Sequence, residues 1–107
     1  VRFHDLLIVN QSFIEVRDER GFPFEDYPFD GILGLGLPAL AIDGTVPLLD
    51  TMINQQLLER NVFSFYLSPA GTDSSIILIG ASDPSLYTGP LLWAPLHASC
   101  YWEVLIS

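Results

Sequence analysis

The side chains capable of nucleophilic or metal chemistry are few in this chain. Cys100 is the single cysteine, and His97 lies three positions before it. A cysteine–histidine nucleophile also needs an orienting group and an oxyanion hole, which the neighbouring residues do not supply, so we interpret this pair as chance. Together with His4, these residues are too few for a structural zinc site. We therefore predict no intrachain disulfide, no bound metal and no cofactor.

Thirteen acidic residues offer carboxylate chemistry. The spacing of the acids in the first third of the chain misses the pattern of an EF-hand loop, which favours a solvated acidic loop over residues 18–28. Asp30 is the exception, because it is embedded in an apolar stretch, and we expect a structural role for it. The other acids in this region are Glu15, Asp18, Glu19, Glu25 and Asp26.

The apolar stretch of residues 29–36 contains three glycines, Gly31, Gly34 and Gly36. Their order, Gly-x-x-Gly-x-Gly, is not the dinucleotide-binding pattern Gly-x-Gly-x-x-Gly, and Pro38 follows where that pattern opens a helix. Glycine within a strand is typical of a bend or a close backbone approach. We therefore predict a strand that passes through a crowded site.

Asn10-Gln11-Ser12 is an acceptor pattern for N-glycosylation. The flanking residues predict a turn here, between strands over residues 2–9 and 12–17. A turn is accessible to modification, so Asn10 is the predicted glycosylation site. Chance occurrence of the triplet is the alternative interpretation.

Charge and hydropathy exclude several classes of partner. The 107 residues fit one small domain, half are hydrophobic, and the formal net charge is −9. Phosphate binding needs clustered Lys and Arg, so nucleic acid is disfavoured, as is docking to an anionic membrane surface. The apolar runs fall far short of about 18 residues, so we predict no membrane span. The chain begins Val-Arg-Phe, and we expect a processed chain or an excerpt of a longer one.

Periodicity predicts a mainly β chain with about seven strands and one helix. The helix is predicted over residues 47–58, with Thr45 as cap and an apolar stripe that includes Leu48, Leu49 and Met52. Besides the two strands named above, the predicted strands cover residues 29–36, 62–67, 75–79, 91–94 and 101–106.

Seven segments occur in a characteristic order, at residues 29–35, 45–50, 61–68, 79–83, 87–91, 93–96 and 101–104. Their order and spacing resemble the middle of a pepsin-like aspartic protease. The similarity covers nearly the whole chain. No single segment is specific for the family, but the order and spacing of all the segments together are. In the turn at residues 79–83, Ala81 stands where the family has a second glycine.

The resemblance implies a place in a bilobal β-barrel fold: residues 1–68 as the end of the N-terminal lobe, 69–90 as a crossover toward the interdomain sheet, and 91–107 as the start of the C-terminal lobe. Members cleave peptide bonds with two aspartates, each in an Asp-Thr-Gly or Asp-Ser-Gly triplet. Neither triplet occurs here, and Asp50-Thr51-Met52 lies in the predicted helix. Both catalytic aspartates are therefore expected outside this chain.

The resemblance also implies substrate-pocket residues. Phe29 and Ile32 match positions on the non-primed side, Phe24 is expected to reach the same wall, and Tyr101 matches an aromatic position on the primed side. Ordinary core packing is the alternative for each of them. Trp102 is expected to pack beneath the sheet.

Two functions remain open at this point. The first is a segment of an aspartic endopeptidase that acts on peptide or protein substrates together with the remaining segments of the same protease. The second is a non-catalytic, protease-derived structural or binding subunit. The resemblance implies the secretory pathway, with an extracellular or an acidic lysosome- or vacuole-like destination. A small β domain unrelated to proteases is a weaker third interpretation.

Overall fold

The computed structural model describes residues 1–17, 28–70 and 74–106. One α-helix and four short strands make up the regular structure of these residues, and three single 3-10 turns connect them. The strands are β1 (Arg2–Phe3), β2 (Leu6–Leu7), β3 (Phe63–Tyr66) and β4 (Ile76–Ile79), and the helix is α1 (Leu48–Asn54). The 3-10 turns are Pro38–Leu40, Ile42–Gly44 and Pro84–Leu86.

The N-terminal segment folds back on itself. β1 pairs antiparallel with β2, with Arg2 opposite Leu7. The chain reverses where His4 adopts a left-handed φ of 51°, so the prediction of one continuous strand over residues 2–9 is wrong. The hairpin is closed by Ile8, whose N–H donates to the Val1 carbonyl at 2.7 Å.

Helix α1 confirms the predicted helix in a shorter form. Pro47 precedes its first residue, and Thr45 makes no capping bond to it, because the Thr45 hydroxyl donates to the Ile42 carbonyl instead. The helix ends before Gln56, whose φ of 56° turns the chain out of the helical path. The predicted apolar stripe faces inward, since Leu48, Leu49 and Met52 are buried.

β3 and β4 form the longer hairpin, with Phe63 opposite Ile79 and Tyr66 opposite Ile76. This pairing confirms the strands predicted over residues 62–67 and 75–79. Part of the hairpin loop predicted between them, residues 71–73, lies outside the described residues. The far end of β4 continues into Gly80, whose φ of 86° favours glycine.

The other predicted strands do not form. Residues 12–17, 29–36, 91–94 and 101–106 are extended or irregular. An extended segment becomes a strand only when a neighbouring strand hydrogen-bonds to it, and the described part of the chain contains only the two hairpins. The predicted class, mainly β with one α-helix, is confirmed, and no closed barrel forms among the described residues.

One small core joins the N-terminal hairpin, the helix and the second hairpin. Ile8, Leu48 and Met52 form its centre, and the side chains packed against it are Phe3, Leu6, Leu57, Leu58 and Ile79. The side-chain amide of Gln55 fixes the N-terminal segment to the helix end. It donates to the Val9 carbonyl at 2.8 Å and accepts from the Val9 N–H at 3.2 Å.

The chain exposes far more surface than a compact domain of its size. Its accessible surface is 9194 Å², whereas a compact monomer of this mass exposes about 5,900 Å². The radius of gyration is 16.4 Å, against about 13 Å for a compact chain of this length. These dimensions are consistent with a piece of a larger bilobal fold.

Candidate functional site

An open apolar groove lies between the glycine-containing segment and the helix entry. The two 3-10 turns between Pro38 and Gly44 reverse the chain, so that residues 40–48 face residues 32–37 across a cavity of about 570 Å³. Residues 11–14 form the third wall. Gln11 fixes that wall, because its side-chain amide donates to the Val46 carbonyl at 3.0 Å.

The structure places only one of the predicted pocket residues in this groove. Ile32 lines it and is 75% exposed. Phe29 lies earlier on the same segment, and Tyr101 lies on the C-terminal segment; they are 45% and 56% exposed, and neither lines the groove. Phe24 lies outside the described residues.

The crowding predicted around the glycines is not found among the described residues. A methyl group added at Gly31 or Gly34 would meet no described atom within 4 Å, and at Gly36 it would meet the Leu40 side chain at 3.5 Å, an ordinary van der Waals distance. Among the described residues, nothing fills the space beside Gly31 and Gly34.

Trp102 connects the C-terminal segment to the glycine-containing segment. Its indole Nε1–H donates to the Leu35 carbonyl at 2.7 Å. Its ring meets Phe63 of β3 edge-to-face, with centroids 5.2 Å apart. This hydrogen bond was not predicted from the sequence. Its general basis is that a tryptophan packed against protein usually finds an acceptor for its N–H.

Two described carboxylates pair with basic side chains at the exposed surface: Asp5 lies 3.2 Å from His4 Nε2, and Glu15 lies 3.7 Å from Arg17 Nε. A hydrogen bond from the Ser85 backbone N–H, supported by one from the Ser85 side chain, holds the pKa of Asp83 below its ordinary value, and this carboxylate caps the turn Pro84–Leu86. Asp50 lies in the first turn of α1. No hydrogen bond joins the side chains of His97 and Cys100. No cluster of three metal-binding side chains occurs among the residues that the structure describes.

Asn10 lies on the surface, directly after the N-terminal hairpin. Its backbone adopts a left-handed φ of 53°, a conformation that asparagine tolerates well. Asn10 and Ser12 are both exposed. The predicted acceptor triplet is therefore accessible in a turn.

Comparison with known proteins identifies the family. The chain matches the model of the eukaryotic aspartyl protease family over residues 1–107. It is 46% identical to pepsin-2B of Gadus morhua over 99 residues, which are 92% of this chain and 30% of that protein. It is 37% identical to cathepsin D of Gallus gallus over 106 residues, 97% of this chain and 27% of that protein. A pregnancy-associated glycoprotein of Equus caballus is 39% identical over 104 residues, 97% of this chain and 27% of that protein.

The chain therefore belongs to the pepsin-like aspartic protease family, as its motifs predict. It spans about 30% of the length of the curated relatives that it matches. None of the described helices is long and apolar enough to cross a membrane.

Proposed function

We propose that this chain is a segment of a pepsin-like aspartic endopeptidase that supplies scaffold and substrate-pocket walls, while both catalytic aspartates lie on other segments. The whole-length match to the family carries this proposal. The coverage of about 30% of each relative leaves room for both aspartates elsewhere, and the 107 residues contain no Asp-Thr-Gly or Asp-Ser-Gly triplet. The boundaries proposed for the lobes and the crossover remain 1–68, 69–90 and 91–107.

The reaction proposed for the complete protease is hydrolysis by an activated water. Two neighbouring carboxylates share one proton, because both cannot ionise cheaply at short distance. The ionised carboxylate accepts a proton from the water, and the protonated one donates to the carbonyl oxygen of the substrate. The attack on the carbonyl carbon is followed by cleavage of the C–N bond. This scheme predicts an acidic pH optimum.

This chain's part in the reaction is to bind and orient the peptide. Apolar walls with a few polar groups are typical of ligand sites, and the groove volume of about 570 Å³ lies within the usual range. Ile32 projects from the glycine-containing segment into the groove. We propose Ile32 and Phe29 as walls for the non-primed side chains, with Phe24 beside them, and Tyr101 as a wall on the primed side.

Peptide cleavage at acidic pH tests the function. The polypeptide that carries this chain is incubated with a peptide whose scissile bond is flanked by hydrophobic residues, and products are identified by mass spectrometry. Cleavage between the hydrophobic residues, greatest at acidic pH, supports the endopeptidase. Peptide binding without cleavage by the intact polypeptide would favour the second function, a non-catalytic binding subunit.

Ile32→Ala is expected to weaken the reaction with substrates that carry a large hydrophobic side chain on the non-primed side. Removing pocket methylenes reduces transition-state binding, so we expect kcat/KM to fall about tenfold. Steady-state assays on a matched peptide pair, with phenylalanine or alanine at that position, measure the effect. Ile106→Ala is the control, because Ile106 is exposed and lies away from the groove. An equal loss for both variants and both peptides would contradict the wall assignment.

We further propose that the protein enters the secretory pathway and carries an N-linked glycan on Asn10. The exposed turn supports the modification. Two relatives are themselves named pregnancy-associated glycoproteins. The final destination proposed is extracellular or an acidic lysosome- or vacuole-like compartment.

Ser12→Ala is expected to abolish glycan attachment at Asn10, because the acceptor triplet requires Ser or Thr at its third position. The protein is expressed in a host that glycosylates secreted proteins. The mass of the peptide that contains Asn10 is measured by mass spectrometry before and after enzymatic deglycosylation. Ser12→Thr is the matched control and should retain the glycan. An unmodified Asn10 in secreted wild-type protein would contradict the proposal.

A further inference from the structure

Trp102 contacts both segments that contribute proposed pocket walls. It directly follows Tyr101, the proposed primed-side wall. Its indole N–H donates to the Leu35 carbonyl at 2.7 Å, and Leu35 lies three positions after Ile32, the proposed non-primed wall. One hydrogen bond thus joins two segments that are 67 residues apart in sequence.

The Trp102 ring also anchors this contact to the most regular part of the chain. It lies edge-to-face on Phe63, at an interplanar angle of 83°. Phe63 belongs to β3, which is paired along its length with β4. The segments around Leu35 and Tyr101 lack strand pairing in the described chain, so the bond and ring contact connect them to a hairpin.

We propose that Trp102 is a positioning residue that fixes the separation of the two pocket walls. This inference rests on the proposed function. The indole N–H holds the Leu35 carbonyl while the ring holds β3, so the segment of Ile32 and the segment of Tyr101 move together. Substrate side chains on the two sides of the scissile bond are then bound interdependently rather than separately.

The second tryptophan supplies a matched control. Trp93 is 80% exposed, whereas Trp102 is 51% exposed. The Trp93 indole N–H makes no hydrogen bond within the described residues. A phenylalanine substitution removes the N–H and retains an aromatic ring at either position. W93F therefore controls for the exchange of indole for phenyl, and W102F in addition loses the hydrogen bond to Leu35.

The hydrogen bond is tested first by proton exchange, without reference to activity. The polypeptide that carries this chain is labelled with ¹⁵N-tryptophan, and the two indole resonances are assigned from their disappearance in W102F and W93F. We expect the Trp102 indole proton to exchange with solvent at least tenfold more slowly than that of Trp93. Equal exchange rates for the two indole protons would show that Trp102 does not donate a hydrogen bond to Leu35.

The positioning role is tested by four peptides that combine a large or small side chain on each side of the scissile bond. In the wild type and W93F, we expect the effects of the two changes on kcat/KM to be non-additive, because interacting sites couple. In W102F the coupling should vanish and kcat/KM should fall about fivefold, as expected for loss of one neutral hydrogen bond. Retained coupling in W102F, or additive effects in the wild type, would overturn the role. Wild-type protein that cleaves none of the peptides would refute the proposed function and this role with it, while the exchange rates still report on the bond.

Discussion

The 107-residue chain, produced by itself, is expected to show neither cooperative thermal unfolding nor peptide cleavage. Only Ile8, Leu48, Leu49 and Met52 are buried apolar side chains in the described structure. The accessible surface of 9194 Å² exceeds that of a compact monomer by about 3,300 Å². Uncovered apolar surface and open strand edges favour self-association.

Calorimetry measures the thermal unfolding, size-exclusion chromatography the self-association, and the peptide assay at acidic pH the cleavage. The control is the longer polypeptide that carries the chain, which should melt cooperatively, elute as a defined species and cleave the peptide. The isolated chain should aggregate or unfold without a sharp transition, and its cleavage should stay at background. A monomeric, cooperatively melting chain would contradict the account of these residues as a piece of a larger fold.

Met52→Ala is expected to destabilise the complete polypeptide by about 2–5 kcal/mol. Met52 is fully buried, and its contacts with Ile8 and Leu48 form the centre of the core that joins the N-terminal hairpin to the helix. The substitution removes methylene and sulfur contacts and leaves a cavity. Urea unfolding, followed by circular dichroism, measures the difference in free energy.

Met52→Leu is the matched variant for this experiment. It retains an apolar side chain of similar volume, so the cost should be below about 1.5 kcal/mol. A loss in the alanine variant as small as that in the leucine variant, below about 1.5 kcal/mol, would show that Met52 is not packed as the structure describes. Equal and large losses in both would indicate a specific requirement for the thioether.

The elements that sequence analysis predicted correctly are those whose partners lie nearby in the chain. The stripe of Leu48, Leu49 and Met52 predicts a helix because its 3.6-residue period needs only one apolar contact surface. The strands around Phe63 and Ile79 pair with each other across a short connection. In both cases the residue pattern predicts the element, and the partner that stabilises the element lies nearby in the sequence.

The strands that failed to form require partners that the described chain does not provide. Residues 12–17, 29–36 and 101–106 have apolar and extended character, but a period-2 pattern identifies a face and not the neighbour that completes the ladder. The single strand predicted over residues 2–9 failed to form for a different reason. A left-handed φ at His4 divides residues 2–9 into a hairpin, and histidine is a weak signal for that conformation.

The site was predictable only in part. Ile32 was assigned as a pocket wall by resemblance, and it does line a groove. Spacing alone could not identify the carbonyl of Leu35 as the acceptor for Trp102, because the two residues are 67 positions apart. Long-range contacts of this kind depend on the path of the whole chain. Phe29 and Tyr101 lie outside the groove, and their proposed roles are expectations for the complete protease.

We propose that these residues are scaffold and pocket wall of an aspartic endopeptidase whose catalytic aspartates lie on either side of them. Sequencing the mature source polypeptide beyond Val1 and Ser107, together with its intact mass, tests this most directly. We expect one Asp-Thr-Gly or Asp-Ser-Gly triplet before Val1 and a second after Ser107. A mature protein with the mass of these 107 residues alone, and with no companion chain that bears such a triplet, would contradict it.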